Sequence, residues 1–271
     1  MNIYIDPNIF TIGPITLSWH GLFSALGLLM GVLFTARLLK GTSINEDQYY
    51  TASLWAIIGG IIGARLLFVI ENIGLFLPSP LSIFAINEGG ISIFGATIGG
   101  TLGAYLAAKH YKLDIPTIAD AAGPGFILGQ GIGRIGDIIN GEHHGTPTDL
   151  PWGVIYTHPN TLGEIDLKVH PAVGYEMIYD FAIAGLLVFL RGRLPKPGMV
   201  YLVYIFLYSL GRLWVGFFRL DADILLGLGM AQVIGVIGMA VSAIWIGVML
   251  TSKGPTAPPR SARRRAARQR S

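Results

Sequence analysis

Residues 129–145 read GQGIGRIGDIINGEHHG. Within them, Gly131-Ile132-Gly133-Arg134-Ile135-Gly136 spells G-x-G-x-x-G, the glycine pattern of a dinucleotide-binding turn. The same stretch spaces Arg134, Asp137, Asn140 and Glu142 at near-helical intervals, as the polar face of a helix would. The two readings predict different folds. A cofactor turn needs a strand before the glycines, a helix opening at them and an acid about 20 residues on. Upstream, Ala119 to Leu128 belongs to a long apolar segment, and no strand–turn–helix unit is legible there. The glycines read instead as thinning one helix face, so that other helices or an acyl chain can approach.

Composition supports the helical reading. The chain has 271 residues, 52% of them hydrophobic and only 13% charged, with a mean hydropathy of +0.58. Soluble domains carry about a quarter charged residues, so this balance predicts a polytopic membrane protein with one membrane domain. There is no cysteine, which excludes disulfides, thiolate nucleophiles and cysteine metal sites in this chain. The six His include His143-His144 but no H-E-x-x-H or other spaced ligand set, so neither a metal nor a cofactor is expected. The net charge of +3 owes much to the terminal RSARRRAARQRS; the rest is slightly acidic. Such a tail can bind nucleic acid, but after a hydrophobic helix it more simply marks the cytoplasmic side and touches anionic lipid. No nucleic-acid partner is expected. The N-terminus shows neither a basic n-region nor an A-x-A site, so no cleaved signal peptide is expected.

A bilayer-spanning helix needs about 20 mainly apolar residues. Seven such spans are predicted, near 17–39, 49–71, 91–109, 117–139, 172–190, 198–217 and 228–251. Basic residues follow alternate spans: Arg37 and Lys40, then Lys109 and Lys112, then Arg191, Arg193 and Lys196, then Lys253 and the Arg tail. Between them, 72–90 has no basic residue and 141–171 only Lys168. The positive-inside rule then predicts the N-terminus outside and the C-terminus in the cytoplasm.

Residues 1–253 thus form one transmembrane domain. The segment 141–171, with Pro147, Pro151, Pro159 and Pro171 and the apolar run Trp152 to Tyr156, predicts a small outer head of short strands and turns. The first 15 residues read as an interfacial arm. Residues 254–271 are rich in Pro, Ala, Ser and Arg and are expected to be a disordered basic cytoplasmic tail. Glycines four apart (Gly27 and Gly31; Gly59 and Gly63; Gly95, Gly99 and Gly103) suit close helix packing in lipid.

Ionisable residues within spans are costly and are functional candidates by default. Arg65 and Glu71 close span two; Arg134, Asp137, Asn140 and Glu142 close span four. Tyr175, Glu176 and Asp180 open span five, and Arg212 and Arg219 close span six. On the derived topology all fall toward the outer face. Arginine offers a planar fork of donors that suits phosphate, so several at one depth suggest a phospholipid headgroup. The competing reading pairs Arg134 with Asp137 or Glu142, and Arg65 with Glu71, as neutralised helix glue. A transporter fits less well, because transporters place their site near the midplane between repeats and no repeat is visible.

Gly133-Arg134-Ile135-Gly136-Asp137-Ile138-Ile139-Asn140-Gly141-Glu142 resembles the G-R-x-G-N-F-x-N-G-E signature of the bacterial prolipoprotein diacylglyceryl transferases. The resemblance runs along almost the whole chain in order: Trp19-His20-Gly21, Gly63-Ala64-Arg65, Gly89-Gly90-Ile91-Ser92, His170-Pro171 with Tyr175-Glu176, Gly211-Arg212 with Phe217-Phe218-Arg219, and Met230-Ala231-Gln232. It implies an all-helical bacterial inner-membrane enzyme without a cofactor. Such an enzyme moves the diacylglyceryl group of phosphatidylglycerol to the lipobox cysteine thiol of a prolipoprotein, the first step of lipoprotein maturation. On this reading Arg134 and Arg212 contact the lipid phosphate, and Asn140 and Glu142 shape the catalytic site. Arg65, Arg219, Tyr175, Glu176 and Gln232 are further substrate-binding residues.

The departures matter. Phe94 stands where the family has His, His20 where it has Tyr, Asp137 where it has Asn, Gly216 where it has Glu, and Val173 where it has Gln. Two readings follow. Either His20 or a carboxylate takes the thiol proton in place of the missing His, or the chain is a non-catalytic or altered-acceptor paralogue that binds phospholipid. An anion at position 137 opposes a bound phosphate and favours the second. His20 has a plainer reading as well, an interfacial His satisfied by a backbone carbonyl.

Overall fold

The structure, a computed structural model, describes residues 1–13, 15–85 and 89–252. The predicted disordered tail lies outside the described residues. A helix stands at each of the seven segments read from hydropathy: α1 Trp19–Leu39, α2 Glu46–Glu71, α4 Ile93–His110, α5 Ile115–Asn140, α6 Ala172–Leu190, α7 Met199–Gly216 and α8 Met230–Thr251. A single turn, α3 (Ile73–Phe76), makes eight α-helices among the described residues. Five of them, α1, α2, α6, α7 and α8, are long and apolar enough to cross a membrane. Large apolar side chains line their outer faces, as at Ile237, Val241, Ile244 and Trp245 on α8. A water-soluble monomer rarely exposes so continuous an apolar surface.

The chain divides into two compact units, Leu39–Ile118 and the remainder. In the Leu39–Ile118 unit, Asn45 caps α2 by accepting from the Gln48 N–H at 3.0 Å, with Glu46 and Asp47 in the first turn, where acidic groups suit the helix dipole. The glycines of α2 and α4 meet backbone to backbone: a Cβ on Gly99 would lie 2.9 Å from Gly63 Cα. A 3₁₀ turn (Pro80–Phe84) lies between α3 and α4.

In the other unit, Ile127 of α5, Ile183, Ala184 and Leu187 of α6, and Val200 and Tyr204 of α7 form the largest buried cluster. Asp120 ties α5 to the start of α7. Its carboxylate accepts from the backbone N–H groups of Gly198, Val200 and Tyr201 at 2.8–3.2 Å, so a side chain from one helix caps the start of another. The unit also carries short strands. β1 (Asn2–Ile3) pairs in parallel with β4 (Val154–Tyr156), which pairs antiparallel with β5 (Lys168–Val169). Ile3, Val154, Tyr156 and Val169 form a small core beneath them. β2 (Asn8–Ile12) and β3 (Ile15–Ser18) form a hairpin before α1, and β6 (Asp223–Leu225) with β7 (Leu228–Gly229) a second one before α8. The segment 141–171 thus holds strands β4 and β5, and residues read as an interfacial arm supply a third strand and most of a hairpin.

Candidate active site

The opening glycines are helical, and they serve two different faces. A Cβ on Gly131 would lie 2.8 Å from the Phe181 ring of α6, and one on Gly136 would lie 2.7 Å from His20 Cα of α1. Gly133 has only Ser24, at 4.0 Å. Gly136 therefore lets the first turn of α1 rest directly on the last turns of α5, and this brings His20 to Asp137.

Four elements meet here. Asp137 on α5 is 5% exposed and takes two hydrogen bonds, one per carboxylate oxygen. Its Oδ1 lies 2.5 Å from His20 Nδ1, and its Oδ2 accepts from Arg134 Nη1 at 2.7 Å. The other terminal nitrogen of Arg134, Nη2, donates to Glu176 Oε1 on α6 at 2.7 Å. Arg212 on α7 donates through Nη1 to both oxygens of Glu176, at 3.0 and 2.9 Å. Glu176, 3% exposed, thus sits between two guanidiniums that are themselves 20% and 15% exposed. Glu142 accepts from Asn140 Nδ2 at 3.0 Å, and its second oxygen is 3.6 Å from His20 Nδ1. Asn140 Oδ1 is buried without a partner.

The helix-glue reading holds in part: Arg134 does pair with Asp137, but its second partner is Glu176 on another helix. The Arg65–Glu71 pair does not form. In the Leu39–Ile118 unit, Arg65 donates to the carbonyls of Ser82, Ile83, Ala85, Gly89 and Gly90 at 2.7–3.3 Å, while Glu71 accepts from the Ser92 hydroxyl at 3.4 Å. The other predicted site residues are engaged elsewhere. Tyr175 accepts from the Trp152 indole at 2.7 Å and stacks edge-on with Phe218. Arg219 donates to both oxygens of Asp221, at 2.9 and 3.2 Å. Burial opposes ionisation of Asp221, but that hydrogen bond and charge hold its carboxyl below the usual range. Gln232 is buried at the start of α8, accepting from Gly229 N–H at 3.0 Å and donating to Leu213 O at 3.2 Å. A Cβ on Gly216 would run into the Gln232 side chain, so a Glu at 216 could not enter without moving it.

Ligand atoms of His20, Asp137 and Glu142 lie within 4.8 Å of one another, a set not visible in the sequence spacing. Arg134 on the same carboxylate sets a positive charge against any cation there. Asp180, one turn beyond Glu176, is fully buried with neither carboxylate oxygen hydrogen-bonded. The sequence flagged it only as an acid in an apolar span, the one signal available for it.

Residues 7–248 match the sequence model of prolipoprotein diacylglyceryl transferase. The chain belongs to the prolipoprotein diacylglyceryl transferase family. It is 38% identical to the phosphatidylglycerol–prolipoprotein diacylglyceryl transferase of Nostoc sp., over 92% of this chain and 91% of that one. It is 36% identical to the enzymes of that name from Dehalococcoides mccartyi, over 89% and 92%, and Clostridioides difficile, over 92% and 97%. Two of the positions at which this diacylglyceryl transferase family member departs from the signature, His20 and Asp137, are in contact with each other. The charge at 137 is therefore countered by Arg134, and its other oxygen is hydrogen-bonded to His20.

Proposed function

We propose that this chain is a phosphatidylglycerol–prolipoprotein diacylglyceryl transferase of the bacterial inner membrane. It moves the diacylglyceryl group to the thiol of a lipobox cysteine and releases glycerol phosphate. One observation carries the site assignment: two guanidiniums converge on a single buried carboxylate while keeping donors to spare. Arg212 uses only Nη1 on Glu176, so its Nε and Nη2 have no partner among the described residues. A planar pair of free N–H donors beside a second guanidinium suits a phosphate diester. The same groups meet the negative charge that grows on the phosphate as the carbon–oxygen bond breaks, when stabilisation speeds the reaction most. Glu176 holds the two cations together against their mutual repulsion. Asn140 and Glu142 shape the wall next to Arg134.

Both substrates are lipids or lipid-anchored, so entry is lateral, between helices. The seven helices cross the membrane with the N-terminus outside, and the 141–171 head lies on the outer side. The alternation of basic loops supports this orientation. The paralogue reading rested on the missing imidazole at 94 and on the anion at 137, and Arg134 is a countercharge to that anion.

The test is transfer itself. Purified protein in phosphatidylglycerol vesicles should convert a lipobox peptide to its diacylglyceryl thioether. Arg134→Ala and Arg212→Ala should each lower the rate by about 100-fold or more, the scale of losing one charge-stabilising donor. Saturable phospholipid binding by the wild type with no thioether product would reject the assignment in favour of a binding protein.

A further inference from the structure

We propose that His20 and Asp137 form the base of the transfer reaction, with His20 Nε2 accepting the thiol proton and Asp137 positioning the ring. The proposal rests on the transferase reading above. Three observations carry it. The 2.5 Å contact joins Nδ1, and not Nε2, to the carboxylate. Asp137 is nearly sealed and its other oxygen is bound by Arg134, so it stays an acceptor, and Nδ1 must carry the hydrogen. Nε2 is then a bare lone pair; it has no hydrogen-bond partner among the described residues, and the His20 side chain is 44% exposed. A carboxylate that fixes the tautomer and orientation of an imidazole, leaving the far nitrogen open, is the arrangement that makes a histidine an effective base.

The dyad is also joined to the phosphate clamp. One guanidinium, Arg134, spans from Asp137 to Glu176, so the imidazole and the paired arginines are held in one rigid network. Phe94, where the family carries His, cannot take a proton, whereas His20 can. In the step, the thiol proton passes to Nε2. Sulfur forms a bond to the terminal glycerol carbon of the diacylglyceryl group. The carbon–oxygen bond to phosphate breaks, its electron pair leaves with the glycerol phosphate, and the imidazolium returns its proton to that phosphate.

The test compares two acceptor peptides on the full-length protein in phosphatidylglycerol vesicles. One carries the lipobox cysteine and the other selenocysteine, whose selenol ionises at neutral pH without a base. His20→Gln should lower transfer to the thiol by about 100-fold or more, the scale of a lost general base, and recover most of its rate with the selenol. Asp137→Asn should lose about 10- to 100-fold on the thiol, as a removed positioning partner does, and less on the selenol. His20→Gly should regain thiol transfer when imidazole is added. Undiminished thiol transfer by His20→Gln would overturn the proposal, as would equal loss on both acceptors without imidazole rescue. A wild type inactive on both acceptors would reject the transferase reading itself.

Discussion

Glu176 accepts from Arg134 and Arg212 while 3% exposed, and a buried charge in that position cannot be deleted cheaply. Removing one member of a buried ion network costs about 3–5 kcal/mol, because the remaining charges are left uncompensated. Glu176→Gln should therefore lower the thermal midpoint in detergent sharply, whereas Glu164→Gln, at a site with no ion pair among the described residues, should leave it unchanged. Equal midpoints would contradict the packing described. Tyr156 offers a pH test outside the membrane helices. Burial pushes its phenol up to about 12, and the hydroxyl donates to Ile138 O at 3.1 Å. The unfolded phenol titrates near ~10. Below that value the tyrosine is neutral in both states and its contribution is complete; as pH rises from there through the folded value, the contribution is lost. Alkaline melts should show this loss in the wild type and less of it in Tyr156→Phe. Of these partners the sequence made Arg134 with Asp137 legible, because three residues along a helix share a face. It could not show Glu176 between two arginines on other helices, or that His20 reaches Asp137 across 117 positions.

At the scale of elements, glycine spacing was readable as close packing, but not which partner each glycine admits. Gly136 meets α1 and Gly131 meets α6, so one motif serves two contacts. Gly136→Val should push the start of α1 off α5, part His20 from Asp137, and cost about 1–3 kcal/mol as overpacking does. Gly185→Ala, with nothing within 4 Å of its Cβ, should be neutral or slightly stabilising, since alanine is the better helix former. Transfer rates and melting of the two variants, measured together, check this; an active, stable Gly136→Val would refute it. The long helices were legible from hydropathy because each needs only local sequence. The two-residue strand β1 was not, since its pairing comes from a distant segment and so short a run has no period of its own. Asp120 was missed for the same reason: its N–H partners on α7 lie about 80 residues away.

For the whole molecule, the absence of cysteine makes orientation directly measurable. Single-cysteine variants Thr161→Cys and Gly192→Cys should behave oppositely in intact cells. An impermeant maleimide should label the first and spare the second until the membrane is breached. The reverse pattern would invert the proposed topology. The sequence by itself determined the class of molecule, the positions of seven long helices and the family, since hydropathy, helix length and ordered motifs are properties of contiguous residues. Only the tertiary structure decided what the polar residues do: which arginine faces which acid, that Arg65 binds loop carbonyls, and that Asp137 is held between Arg134 and the His20 ring. In a low-dielectric interior the meaning of a charge depends on the groups within a few ångströms of it, and here most of those groups come from other helices.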